Sequence, residues 1–149
     1  MDDIFDLSRS PITIPPQFWN IAYNYDCSPG ATVGLAKGAN CQQYAYEFLR
    51  YCGFHIPDFR SSDLWEDTEF TAIADPIEPL DIVMLHKEAD AWGAHVGVAL
   101  GQNVVLHLSK KNSRPAIETL DALMSRHEYR HLIGVKRCLR RALASAKHE

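Results

Sequence analysis

The chain has 149 residues, the length of one ordinary domain, enough to bury a sizeable core without disulfides or metals. Its residues are 46% hydrophobic and 23% charged, the balance of a soluble globular domain. The net charge of -4 gives no global attraction to nucleic acid or to an anionic membrane, so neither is expected as a partner.

The chain starts MDDIFDLSRS, acidic and without a long apolar run, the opposite of a secretory signal peptide. No stretch approaches the length of a membrane span. The expectation is a protein that is cytoplasmic as synthesised and released or exported by another device if it acts outside the cell. Residues 1–14 are mixed in character and read as an arm. Pro15 and Pro16 precede Phe18-Trp19-Asn20-Ile21-Ala22-Tyr23. Proline suits the first turn of a helix, where its missing donor would be unpaired anyway, so a short helix over 16–24 is expected. Asp26-Cys27-Ser28-Pro29-Gly30 forms a turn cluster, and Gly34 and Gly38 extend the loop.

The clearest element spans 41–52. Cys41, Tyr44, Ala45, Phe48, Leu49 and Cys52 fall on one helical stripe. Asn40 sits at the N-cap, and Gly53 sits where the chain leaves the helix. Residues 54–79 are rich in loop signals, with a short helix around 61–67. Ile82-Val83-Met84-Leu85 reads as a strand. His95–Leu100 and Val104–Leu108 read as two strands around Gly101-Gln102-Asn103, a β-hairpin. Thr119–His127 reads as a helix and Ile133–Cys138 as a last strand. The basic run Lys136, Arg137, Arg140, Arg141 and Lys147 reads as a solvated helix end rather than an interaction tail. The order is helices first, then a small antiparallel sheet, in a single α+β domain over 1–149.

The four cysteines, Cys27, Cys41, Cys52 and Cys138, form no CxxC pair, so a zinc site of the usual spacing is not expected. Cys41 differs from the others by opening a helix. The helix dipole and the unpaired donors of the first turn favour its thiolate, and its own N–H can face an oxyanion. A cysteine nucleophile needs a base and a group to orient that base. In a hairpin with a three-residue loop Gly97 faces His107, which puts His95 on the same face as His107, on the diagonal. One imidazole can then take the proton from Cys41 while the other holds its ring. A two-residue loop would put the histidines on opposite faces. Two further readings stay open: His107 as a hydrogen-bonded core histidine, and a metal site in which Asp81, Glu88 or Asp90 joins the two histidines. In the loop before His95, Trp92 lines a cleft or forms an apolar lid. Arg60 holds a substrate carboxylate or stays solvated.

Several stretches resemble the NlpC-like peptidases, the bacterial cell-wall branch of the papain-like fold. Asn40-Cys41-Gln42-Gln43-Tyr44 resembles the family's nucleophile helix, usually Asp-Cys-Ser-Gly. Gly53-Phe54-His55-Ile56-Pro57 and Arg60-Ser61-Ser62 resemble its glycine, apolar-Pro and Arg-Thr-Ser segment. Pro79-Leu80-Asp81-Ile82-Val83 resembles its Gly-Asp-Leu-Val strand. His95-Val96-Gly97-Val98-Ala99-Leu100-Gly101 resembles the strand that holds its catalytic histidine, and Val105-Leu106-His107 the strand that ends in its third polar residue. The resemblance covers about 38–138, the expected catalytic core. It implies a nucleophile helix packed on a small antiparallel sheet, with Cys41 as nucleophile, His95 as base and His107 as orienter. It also implies hydrolysis of an amide bond in peptidoglycan stem peptides or muropeptides, with no cofactor. Tyr25, Arg60, Ser62 and Trp92 are the expected substrate contacts. A phage tail or a delivery machine is an expected partner, and cytosolic recycling of wall fragments is a third setting. Gln42 and Gln43 depart from Ser-Gly, and Tyr23 and Tyr25 lie farther upstream than the tyrosine the family often carries. A non-catalytic peptide-binding or assembly module is the alternative.

Overall fold

The computed structural model describes residues 3–5, 12–30, 34–101 and 103–142; Gln102, Lys147 and most of the N-terminal arm lie outside the described residues. The helix expected from the stripe at 41–52 is α1, Cys41–Tyr51. Its cap is the expected one: the Asn40 side chain accepts the Gln43 N–H and so satisfies one first-turn donor. Tyr44, Ala45, Phe48 and Leu49 are buried on its inner stripe. Gly53 follows at φ 99°, the left-handed conformation that only glycine adopts without strain.

The chain is α+β. Among the described residues it has three α-helices and a six-stranded antiparallel sheet. A two-stranded ribbon pairs β1, Asp3–Phe5, with β2, Ile12–Thr13. The large sheet contains β3 (Thr71–Ile73), β4 (Ile82–His86), β5 (His95–Ala99), β6 (Val104–Leu108), β7 (Pro115–Thr119) and β8 (His131–Cys138). Their spatial order is β3-β8-β4-β5-β6-β7. Helix α2 is Ser61–Glu66 and α3 is Leu120–Met124. No helix among the described residues is long and apolar enough to cross a membrane.

Successive strand residues face opposite sides of a sheet, and both sides of this one are covered. Ile82, Met84, Val96, Val98, Leu106 and Leu108 belong to the core that contains the α1 stripe. Val83, Leu85, Ala99 and Val105 join Leu120, Leu123 and Tyr129 in a second cluster. The unbroken apolar run at 82–85 follows from this, because a strand covered on both faces needs no polar alternation.

Several expected elements differ. Only Pro16–Phe18 is helical in the expected 16–24 segment, as one 3-10 turn. Beyond it Tyr23 bridges Ala39 and donates its N–H to Ser113, so backbone pairing at long range replaces the helix. The expected helix 119–127 is shorter, with Thr119 capping α3 and a 3-10 turn at His127–Tyr129. The ribbon stands where an arm was expected, and β3 and β7 stand where loops were, so strands both precede and interleave with the helices. The described members of the basic run are no helix end. Lys136 and Arg137 lie in β8, Arg140 and Arg141 follow it, and these four side chains are engaged. Lys136 is buried and donates to the Trp65 and Asp67 carbonyls. Arg137 pairs with Asp81 at 2.9 Å, and Arg140 and Arg141 lie over Phe70 and Phe54.

Candidate active site

The β5–β6 hairpin has the register that a three-residue loop requires: Val98 faces Leu106, Ala99 faces Val105, and the Leu100 N–H donates to the Val104 carbonyl. Gly97 therefore stands opposite His107, and His95 shares its face on the diagonal. Nε2 of His95 lies 2.8 Å from Nδ1 of His107. Gly97 makes this possible. A Cβ there would come within 2.5 Å of Val105 Cγ1 and 3.2 Å of His107 Cβ. His107 is fully buried and His95 half-buried. The Tyr129 ring stacks on His95, centroid to centroid 4.5 Å and 22° from parallel.

Cys41, at the first turn of α1, reaches the start of β5. The backbone N–H groups of Val96, Gln42 and Cys41 face its sulfur. Cys41 and His95 open onto one cleft of about 580 Å³. Tyr25, Arg60, Ser62 and Trp92, expected from sequence as substrate contacts, all line it as well. Tyr25 and Trp92 stand 74% and 72% exposed on its rim, so neither serves as internal packing. The loop that carries Trp92 is tied to α2, because the Gly93 N–H donates to Ser61 Oγ at 2.9 Å. His107 does not line the cleft; it stands behind His95. No protein-family model matches the chain, and no curated protein matches it. The chemistry must therefore be read from the geometry.

One expectation fails in direction. The helix start was expected to favour the Cys41 thiolate, but burial pushes the thiol up to about 11 against the three N–H donors that lower it. Burial, followed by the charges of His107 and Arg126, holds His95 well below the usual 6.5. Both shifts favour the uncharged forms, thiol and imidazole, over a thiolate–imidazolium pair. Removing a charge from water costs more here than one helix turn returns.

Sequence reading missed Glu118, Arg126 and Tyr129. Nε2 of His107 lies 2.8 Å from Glu118 Oε2, which also accepts from Asn112 at 3.1 Å. Arg126 donates to Glu118 Oε1. His107 pairs directly with Ala116, so Glu118 is its diagonal neighbour on β7, reached by the same rule that joins the histidines. Burial works to raise the Glu118 carboxyl, and hydrogen bonds from His107 and Asn112 with the Arg126 charge outweigh it and hold it below the usual range. Tyr23 was also undervalued. It is half-buried in the cleft, and after burial the nearby Cys41 is the next influence raising its hydroxyl.

The residues offered as a third metal ligand stand apart from the two histidines in their engagements. Asp81 is committed to Arg137, and Glu88 and Asp90 are exposed. Among the described residues no group of three or more His, Cys, Asp or Glu is disposed around a metal position. The other thiols lie away from the cleft. Cys27 is buried with its sulfur toward the Lys37 carbonyl at 3.6 Å, and Cys52 and Cys138 do not line the cleft.

Proposed function

We propose that this protein is an NlpC-like cysteine hydrolase that cleaves an amide bond in peptidoglycan stem peptides or muropeptides. One observation carries the reading: a helix-opening cysteine and a histidine backed by a second histidine open onto the same cleft. His95 takes the Cys41 proton as sulfur attacks the carbonyl carbon. As the sulfur gives up its charge to the adduct, the Cys41 and Gln42 N–H groups that face it at rest turn to the developing oxyanion, the Gln43 N–H being engaged by the Asn40 cap. The tetrahedral adduct collapses to a thioester as protonated His95 gives its proton to the leaving amine. His95 then activates water to release the acid and restore the thiol. A neutral pair suits this sequence, because the proton moves only as the bond forms.

The lining favours a carboxylate-bearing substrate. Arg60, Lys87 and Lys110 border the cleft against the single carboxylate of Glu128, in a chain of net charge -4. Such a local excess attracts acidic peptides, and stem peptides that contain D-glutamate are of that class. Digestion of purified muropeptides, followed by chromatography and mass spectrometry, tests the reading. Wild-type protein is expected to release new amine and carboxylate ends, and Cys41→Ala to release none. Equal product from both proteins would overturn it. Gln42 and Gln43, in place of the family's Ser-Gly beside the cysteine, favour a second reading, a peptide-binding module without turnover, which predicts that both proteins retain the same muropeptides intact.

A further inference from the structure

A carboxylate only accepts hydrogen bonds, and this dictates the protons of the chain behind Cys41. Glu118 Oε2 lies 2.8 Å from Nε2 of His107, so that nitrogen carries hydrogen. In a neutral His107 the Nδ1 is then bare and must accept. Its partner at 2.8 Å, Nε2 of His95, therefore donates. A neutral His95 with hydrogen on Nε2 has a bare Nδ1, the one ring nitrogen left to take a proton from Cys41. A neutral or absent partner at 118 would lift this constraint, because His107 could then carry hydrogen on either nitrogen.

We propose that Glu118 is a positioning residue that fixes the tautomers of His107 and His95 so that Nδ1 of His95 is the base, and that Arg126 clamps Glu118 and offsets its charge. The proposal rests on the Cys41–His95 reading for its purpose, but its geometry stands apart from turnover. Its span is wide in sequence: residues from β5, β6, β7 and the segment after α3 form one hydrogen-bonded line. Glu118 does not line the cleft, so it acts through the histidines and not on substrate. The groups against His95 are His107 from β6 and Tyr129 from the 3-10 turn, with the Arg126 charge beyond them, and Cys41 from α1 shares its cleft. Those facing Glu118 are His107, Asn112 and Arg126. Arg60, His86, Lys87, Lys110 and Glu128 stand around the cleft mouth. When His95 accepts the thiol proton it becomes an imidazolium, and Glu118, two hydrogen bonds away through His107, stabilises that charge without taking the proton. Outer partners of this kind set tautomer and basicity for the group they hold.

The test is imidazole nitrogen NMR on wild type, Glu118→Gln, Glu118→Ala and Arg126→Gln, alongside the pH dependence of Cys41 alkylation. In wild type both histidines are expected as the Nε2–H form. In Glu118→Ala both are expected to average between forms, and turnover to fall about tenfold to a hundredfold with KM unchanged. Glu118→Gln removes a negative charge and Arg126→Gln a positive one. The acid limb of the alkylation profile is therefore expected to move to lower pH in the first and to higher pH in the second. Loss of packing alone cannot shift the two in opposite directions. Unchanged tautomers in both Glu118 variants, or shifts of the same sign in the charge variants, would overturn the proposal. If wild-type Cys41 proves inert, the nucleophile reading fails, while the tautomers still decide the role of Glu118.

Discussion

The two ends of α1 carry the same functional group in different surroundings: Cys41 opens the helix and Cys52 caps its end. Burial pushes both thiols up to about 11. Their acidity therefore does not separate them; their neighbours do. Cys41 faces three backbone N–H groups and shares a cleft with His95. Cys52 has Arg141 as its charged neighbour and no place on the cleft. The helix terminus alone does not make a reactive thiol. On the proposed mechanism a base within the same cleft, held by further residues on the sheet, supplies what the dipole does not.

The sharpest way to break this contrast is to remove each sulfur in turn. Cys41→Ala is expected to abolish muropeptide hydrolysis, and Cys52→Ala to leave it within about twofold of wild type, since only the first lines the cleft. Equal loss from both variants would place the effect in folding and not in chemistry. Next in size is removal of the base. His95→Ala is expected to slow hydrolysis by about 10²–10⁴-fold, the usual worth of a positioned acid–base group. A rate within a factor of a few of wild type would release His95 from that role.

The comparison sharpens further at Gly97, which lets the two imidazoles meet. A Cβ at this position presses on Val105 and His107, so Gly97→Ala is expected to destabilise the fold by about 1–3 kcal/mol and to lower activity as well. Urea unfolding measures the first and muropeptide assays the second; unchanged stability would mean the hairpin yields easily. Asn40→Ala removes the cap that orders the Cys41 turn and is expected to cost about 1 kcal/mol in the same unfolding assay.

The pH response of stability is a gentler probe of the same region. Burial depresses both His95 and His107 below 6.5 in the folded state. Between the folded and unfolded values the unfolded chain binds more protons. The histidines' stabilising contribution is thus present above about pH 6.5 and lost as pH falls below it. Thermal melts that decline from pH 7 to 5 in wild type, and less steeply in His107→Ala, are the expected pattern. Parallel curves would show that the histidines are not buried neutral.

What was legible in the sequence is what local rules decide. Asn40, the apolar stripe and Gly53 define α1 within fourteen residues, and the three-residue loop at 101–103 defines a register and with it the His95–His107 contact. The short strands were not legible. β3 is three residues long, and β7 opens on Pro115 at a sheet edge, where a missing N–H is harmless and the strand signal is weak. Missing β7 meant missing Glu118, because only the pairing of β6 with β7 brings it to His107. The Cys41 thiol misled for a related reason. Its position on the helix is local and readable, whereas the burial that outweighs the dipole comes from the assembled fold.

On the proposed mechanism His95 makes Cys41 different from Cys52. Iodoacetamide labelling at pH 7, followed thiol by thiol with peptide mass mapping in wild type and His95→Ala, tests it most directly. Cys41 is expected to label well ahead of Cys52 in wild type and to lose that lead without His95. Equal labelling of the two thiols in wild type, or a Cys41 lead that survives in His95→Ala, would contradict it.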